Sequence, residues 1–203
     1  MKDSLAVHYL EDALSNFRSY KKLAEKAFEQ VSDEEFFSAI DEEANSIAVI
    51  IKHISGNMLS RWTDFLTTDG EKPDRQRDME FVVTPETSRD ESLGQWERGW
   101  ACLFAALEAL TPEDFSRKVL IRGEEHSVME AVNRQLTHYA YHIGQIVFLC
   151  KHFRSREWKS LSIPRNRSTE FNAYLSEKAT EGAERQSRFD APQSFISETE
   201  TKD

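Results

Sequence analysis

Four long stretches of this chain repeat apolar side chains at intervals of three and four residues, the spacing that lines one face of an α-helix. Segments that alternate apolar and polar residues are nearly absent, and only seven glycines and five prolines interrupt 203 residues. A chain patterned in this way buries its stripes by packing helix on helix. The expected fold class is therefore all-α, with four helices carrying the fold.

The first helix is expected over Ser4 to Val31, with Leu5, Tyr9, Ala13, Phe17, Tyr20, Ala24 and Phe28 along one stripe. The second covers Asn45 to Leu66, with Ile47, Ile50, Ile51, Ile54, Met58 and Trp62 inward. The third follows Ser88-Arg89-Asp90-Glu91, and the fourth follows Ser127-Val128-Met129-Glu130 and runs to about His152. Both of these leaders match a capping box, in which a hydroxyl and an acid three residues on satisfy each other's backbone N–H groups. Thr67 to Thr87 is polar, contains Gly70, Pro73 and Pro85, and has no helical period, so it is expected to cross the outside of the bundle. Its length is unusual for a passive linker. Lys118 to Glu125 is expected to be extended around Gly123, one side of a small hairpin. Residues 1–175 are read as one domain. From Ser176 to Asp203 the chain is rich in Glu, Ser and Thr and is expected to be a disordered tail.

The formal net charge of −10 argues against the basic surface that phosphate backbones require, so no nucleic-acid partner is expected. No apolar run reaches the ~20 residues needed to span a bilayer, which points to a cytoplasmic protein without a membrane partner. Cys102 and Cys150 lie in apolar helical patterns and read as reduced, buried thiols.

Chemistry gathers at the histidines. His138 and His142 are four apart on the fourth helix and share a face. His53 stands at the edge of the second helix's apolar stripe. Three neutral imidazoles suit Zn, Ni, Cu or Fe and leave a coordination position free, as catalytic sites do. An i,i+4 histidine pair is also common on helices that bind nothing, and a lone histidine such as His53 is often a hydrogen-bonded residue at a core edge. Glu does not follow His138, so the arrangement of a zincin peptidase is missing. Asn57, Gln135, Tyr141 and Gln145 lie near the same faces and are candidates to orient the ligands. His8, His126 and His152 have no partner at useful spacing.

The placement of His53, His138 and His142, together with the run Arg134-Gln135-Leu136-Thr137-His138-Tyr139-Ala140-Tyr141-His142-Ile143-Gly144-Gln145-Ile146, resembles the DinB/YfiT-like superfamily. More narrowly, the runs from Asn57 to Phe65 and from Leu161 to Pro164 resemble a bacterial branch known as a domain of unknown function. The resemblance spans about Leu5 to Phe171. It implies an up-down four-helix bundle, a three-histidine site for nickel or zinc at His53, His138 and His142, and a homodimer. The aromatic residues Trp96, Trp100 and Phe104 on the third helix add a second reason to expect a dimer, as surface that a thin bundle cannot easily bury. Some members of the superfamily transfer low-molecular-weight thiols to electrophiles, and a metal-dependent thiol S-transferase is the first functional expectation. The alternatives are a metal-dependent hydrolase and a non-catalytic, metal-stabilised bundle that acts through protein contacts.

Overall fold

Seven α-helices and one hairpin make up the computed structural model over its described residues, 5–181, 186 and 190–200. They are α1 (Leu5–Phe28), α2 (Asp33–Phe37), α3 (Ile47–Trp62), α4 (Arg89–Glu108), the strands β1 (Lys118–Ile121) and β2 (Glu124–Ser127), α5 (Val128–Arg154), α6 (Ser168–Thr180) and α7 (Asp190–Glu200). The chain divides into two compact units, residues 1–154 and 155–203.

In the first unit the four long helices pack on one another, α3 chiefly against α4 and α1 chiefly against α5. Their stripes form the core: Phe17, Ala24 and Phe28 from α1, Trp96, Trp100 and Leu103 from α4, and Val132, Tyr139 and Ile143 from α5. The expected first residue, Ser4, lies outside the described residues, and Leu5 is exposed rather than part of the stripe. Trp96 and Trp100 are buried within the protomer, edge to face at 5.4 Å, so most of the aromatic surface expected to drive dimerisation is consumed by the core, and Phe104 is half-buried.

Local sequence sets the helix starts. The Ser127 hydroxyl accepts from Glu130 N while the Glu130 carboxylate accepts from Ser127 N, and Ser32 and Glu35 make the same exchange. The hairpin is antiparallel, with Val119 opposite His126 and Ile121 opposite Glu124, and Gly123 is in its turn.

α3 is the exception to amphipathic patterning. Twelve of its sixteen residues are buried, including His53, Ser55, Asn57, Ser60 and Arg61. A helix enclosed on nearly every side must turn its polar residues inward, where each needs a partner.

The second unit joins α6 and α7 through Phe171, Ala191 and Phe195, with Tyr174 and Ile196 packed beside them. Lys178 pairs with Glu198 at 3.1 Å across the two helices. The expectation of a domain to 175 followed by a disordered tail differs from this arrangement. The division falls after Arg154, and Asp190–Glu200 is helical, because a few aromatic residues supply a small core that the average polarity of the segment conceals. Residues 182–185, 187–189 and 201–203 of that tail lie outside the described residues. Among the described residues no helix is long and apolar enough to cross a membrane.

Candidate metal centre

Two polar stripes face each other inside the first unit. On α3, His53, Asn57 and Arg61 recur every four residues; on α5, Arg134, His138 and His142 do the same. The stripes meet at the histidines. The His53 ring centroid lies 5.5 Å from that of His138 and 4.9 Å from that of His142, and the last two are 4.7 Å apart. One nitrogen from each ring falls within 4.8 Å of the other two, and the cluster can hold a metal ion.

Each Nδ1 is already engaged. His53 Nδ1 lies 2.9 Å from Glu80 Oε2, His138 Nδ1 3.3 Å from Gln135 Oε1 and His142 Nδ1 2.8 Å from Gln145 Oε1. An oxygen acceptor at Nδ1 places the ring proton there and leaves the lone pair on Nε2. His138 Nε2 and His142 Nε2 then face each other at 3.1 Å. Two lone pairs at that separation repel unless a cation lies between them. Nitrogens sharing one ion at a metal–nitrogen distance of about 2.0–2.1 Å stand roughly 3.0–3.4 Å apart, so the spacing fits.

A proton does not fill that role at neutral pH. Burial, with the neighbouring His142 and His53 adding to it, pushes His138 down to about 3. Burial likewise pushes His142 down to about 4, against the opposing hydrogen bond to Gln145. Both rings are therefore neutral donors, the form that metals bind.

Glu80 and Arg75 are the residues that sequence reasoning missed. Both lie in the Thr67–Thr87 connection, which does not simply cross the outside: Glu80 is 7% exposed, and Phe81 lies against His53 at 4.8 Å between centroids. Arg75 holds both Glu80 oxygens, Nε to Oε1 at 2.7 Å and Nη2 to Oε2 at 2.8 Å. Burial alone would raise the Glu80 carboxyl, but the hydrogen bonds from His53 and Arg75 together outweigh it and hold the group below its ordinary value. Gly56 makes this approach possible, since a Cβ there would stand 2.5 Å from Glu80 Oε1. The connection is anchored by Asp69, whose carboxylate accepts from the backbone N–H groups of Glu71, Arg122 and Gly123 at 2.7–2.8 Å. The one hint in the sequence was a connection too long to be passive.

The other candidates separate. Gln135 and Gln145 touch the histidines, as described. Asn57 instead accepts the Tyr139 hydroxyl at 3.0 Å and shares a cavity wall with His53 and His138. Tyr141 is 59% exposed, its ring 4.3 Å from that of His142. His8 and His152 are exposed, and His126 lies on β2 away from the cluster.

A model of the family described as "Protein of unknown function (DUF1572)" matches residues 4–167. No curated protein and no solved structure matches the chain. The family match covers α1 through α5, with every residue of the histidine cluster and Glu80 inside it, and the chain belongs to the DUF1572 family.

Proposed function

We propose that His53, His138 and His142 hold one divalent transition metal, nickel or zinc, and that the chain is a metal-dependent transferase acting on a low-molecular-weight thiol. The single observation that carries the metal reading is the pair of Nε2 atoms facing each other at 3.1 Å with both Nδ1 atoms on glutamine oxygens. Three nitrogen donors leave coordination open to a further ligand. When bound, an ion of this kind lowers the pKa of a thiol in contact with it, so that the sulfur is a thiolate at neutral pH.

The protein's own groups orient and exclude. Glu80, Gln135 and Gln145 fix the tautomer and the tilt of the three rings. Phe81 covers one face of His53. Glu80 is a poor proton acceptor, because Arg75 occupies both of its oxygens. That leaves the hydrolase reading without a base at the histidines, and it favours transfer, in which an incoming sulfur needs only its own deprotonation. The fold is read as an up-down four-helix bundle of the DinB/YfiT-like type, working in the cytoplasm. Assembly as a homodimer now rests on the resemblance alone.

The test is metal analysis of untagged protein, followed by cobalt substitution and addition of glutathione, bacillithiol, mycothiol or coenzyme A. A sulfur-to-metal charge-transfer band appearing well below the free thiol pKa of about 8.5, and lost in His142→Ala, supports the reading. Intact metal binding with no band for any of the four thiols removes thiol transfer and leaves a metal-binding bundle.

A further inference from the structure

A cavity of about 380 Å³ opens beside the histidines, with His53, Asn57, Gln135 and His138 in its wall. Five arginines, at 61, 75, 77, 122 and 134, line the rest together with Thr137, and no carboxylate is among its lining residues. This concentration of positive charge stands in a chain whose formal net charge is −10. The volume lies at the small end of the roughly 300–1,000 Å³ typical of small-molecule pockets.

The five guanidiniums are not equivalent. Arg75 is neutralised by Glu80 and by Glu71 at 3.0 Å. Arg122 approaches Glu71 at 3.4 Å, and Arg77 lies over the Phe81 ring with Asp78 at 3.9 Å. Arg61 is different. It is 5% exposed, and its Nε and Nη1 are buried with no hydrogen-bond partner. Buried guanidinium N–H groups are almost always paired, because leaving them dry forfeits the full cost of removing them from water. Burial pushes Arg61 below its ordinary value, with the charges of Arg134 and Arg75 adding to it and those of Tyr139 and Glu71 only partly opposing it. Gly70 admits the group, since a Cβ there would stand 2.6 Å from Arg61 Nη1.

We propose that this cavity binds the oxyanion group, carboxylate or phosphate, of the small molecule on which the histidine site acts, with Arg61 as its buried anchor and Arg134 as its second charge. The role of that molecule as substrate rests on the metal-enzyme reading; the anion site itself does not. Guanidinium matches such groups in geometry and charge, and an anion seated on Arg61 lies in the same cavity as His53 and His138. The substrate would thus be held at one end by charge and presented at the other to the histidines.

The experiment uses the full chain stripped of metal by a chelator, titrated calorimetrically at low ionic strength with inorganic phosphate, with acetate, and with chloride at matched ionic strength. Saturable one-site binding of phosphate or acetate, but not of chloride, is expected; the stronger of the two identifies the group. Arg61→Met and Arg134→Gln should each weaken binding by about tenfold or more, the loss that follows removal of one hydrogen bond to a charged group. His142→Ala, a histidine outside the cavity wall, should leave anion affinity nearly unchanged while removing most bound metal, which separates failure of this site from failure of the metal reading. Arg134 is exposed, so Arg134→Gln remains informative if Arg61→Met does not fold. Binding that chloride reproduces, binding unaltered in both arginine variants, or no binding of either oxyanion overturns the proposal.

Discussion

Glu80 Oε2 sits 2.9 Å from His53 Nδ1, and the contact joins two residues 27 positions apart through a slot that Gly56 leaves open on α3. The carboxylate reaches the imidazole already gripped by Arg75, so an ion pair buried in the connection sets the orientation of a candidate ligand on the helix. A metal-binding imidazole whose second nitrogen donates to a carboxylate is a better donor and a less mobile one.

Glu80→Gln is therefore expected to lower metal affinity by roughly tenfold, the low end of the usual effect of altering the partner behind a metal ligand, because the amide oxygen can still accept from His53 Nδ1 while the negative charge behind the imidazole is lost. It also leaves Arg75 with Glu71 alone, and breaking a buried pair costs about 3 kcal/mol or more. Gly56→Ala should act in the same direction by pushing Glu80 away. Competition titration with a chromophoric chelator, paired with thermal melts, reads both effects; unchanged affinity in Glu80→Gln would detach the connection from the site.

Each of His53→Ala, His138→Ala and His142→Ala should remove most bound metal, and His126→Ala should not. The folded state should survive, since the apolar stripes pack without the ion. Elemental analysis against protein concentration decides this, and full retention in any of the first three removes that residue from the ligand set.

Stability of the metal-free protein should fall as the solution is acidified. His138 and His142 are held down to about 3 and about 4 in the folded chain, whereas in the unfolded chain they titrate near 6.5. Below pH of about 6.5 the unfolded state binds protons that the folded state refuses, so stability drops with falling pH until the folded values are reached. Melting temperature should decline between pH 6.5 and 4, and the decline should be shallower in the double variant His138→Gln with His142→Gln. Metal should oppose the decline by binding only the neutral, folded rings. An equal slope in the double variant would refute the assignment.

Arg61→Met should stabilise the ligand-free protein. It exchanges a buried, unpartnered cation for an apolar side chain of similar length, a change in the direction that removes a desolvation cost. A rise in melting temperature of a few degrees, corresponding to about 1 kcal/mol for a chain of this size, would mark Arg61 as a residue kept for function at the expense of stability. A fall of several degrees would mean that the guanidinium is satisfied in solution and serves the fold.

The helices were legible because their information is local. Ile47, Ile50, Ile51, Ile54, Met58 and Trp62 announce a buried helix face through spacing alone, and Ser127 with Glu130 announces where a helix begins through a hydrogen bond closed within four residues. The pair His138 and His142 was equally legible, since any helix puts such residues side by side, and His53 stood out at the edge of the second helix's apolar stripe, with the resemblance joining the three. The Glu and Ser content of the tail, by contrast, hid Ala191 and Phe195, which pack on Phe171, because composition averages away the few residues that do the packing.

What the sequence determined by itself was the four long helices and the imidazoles, all of which depend on neighbours within a turn or on a repeating pattern. What only the tertiary structure decided was the setting of those imidazoles. Glu80, Arg75 and Phe81 come from a connection without period, and they reach His53 only because Asp69 ties that connection to the hairpin and Gly56 lets a carboxylate approach. The buried isolation of Arg61 is likewise invisible along the chain, where it reads as one more charged residue on a helix. Local spacing dictates which side chains share a face; which face is enclosed, and by what, is settled only when segments distant in sequence pack together.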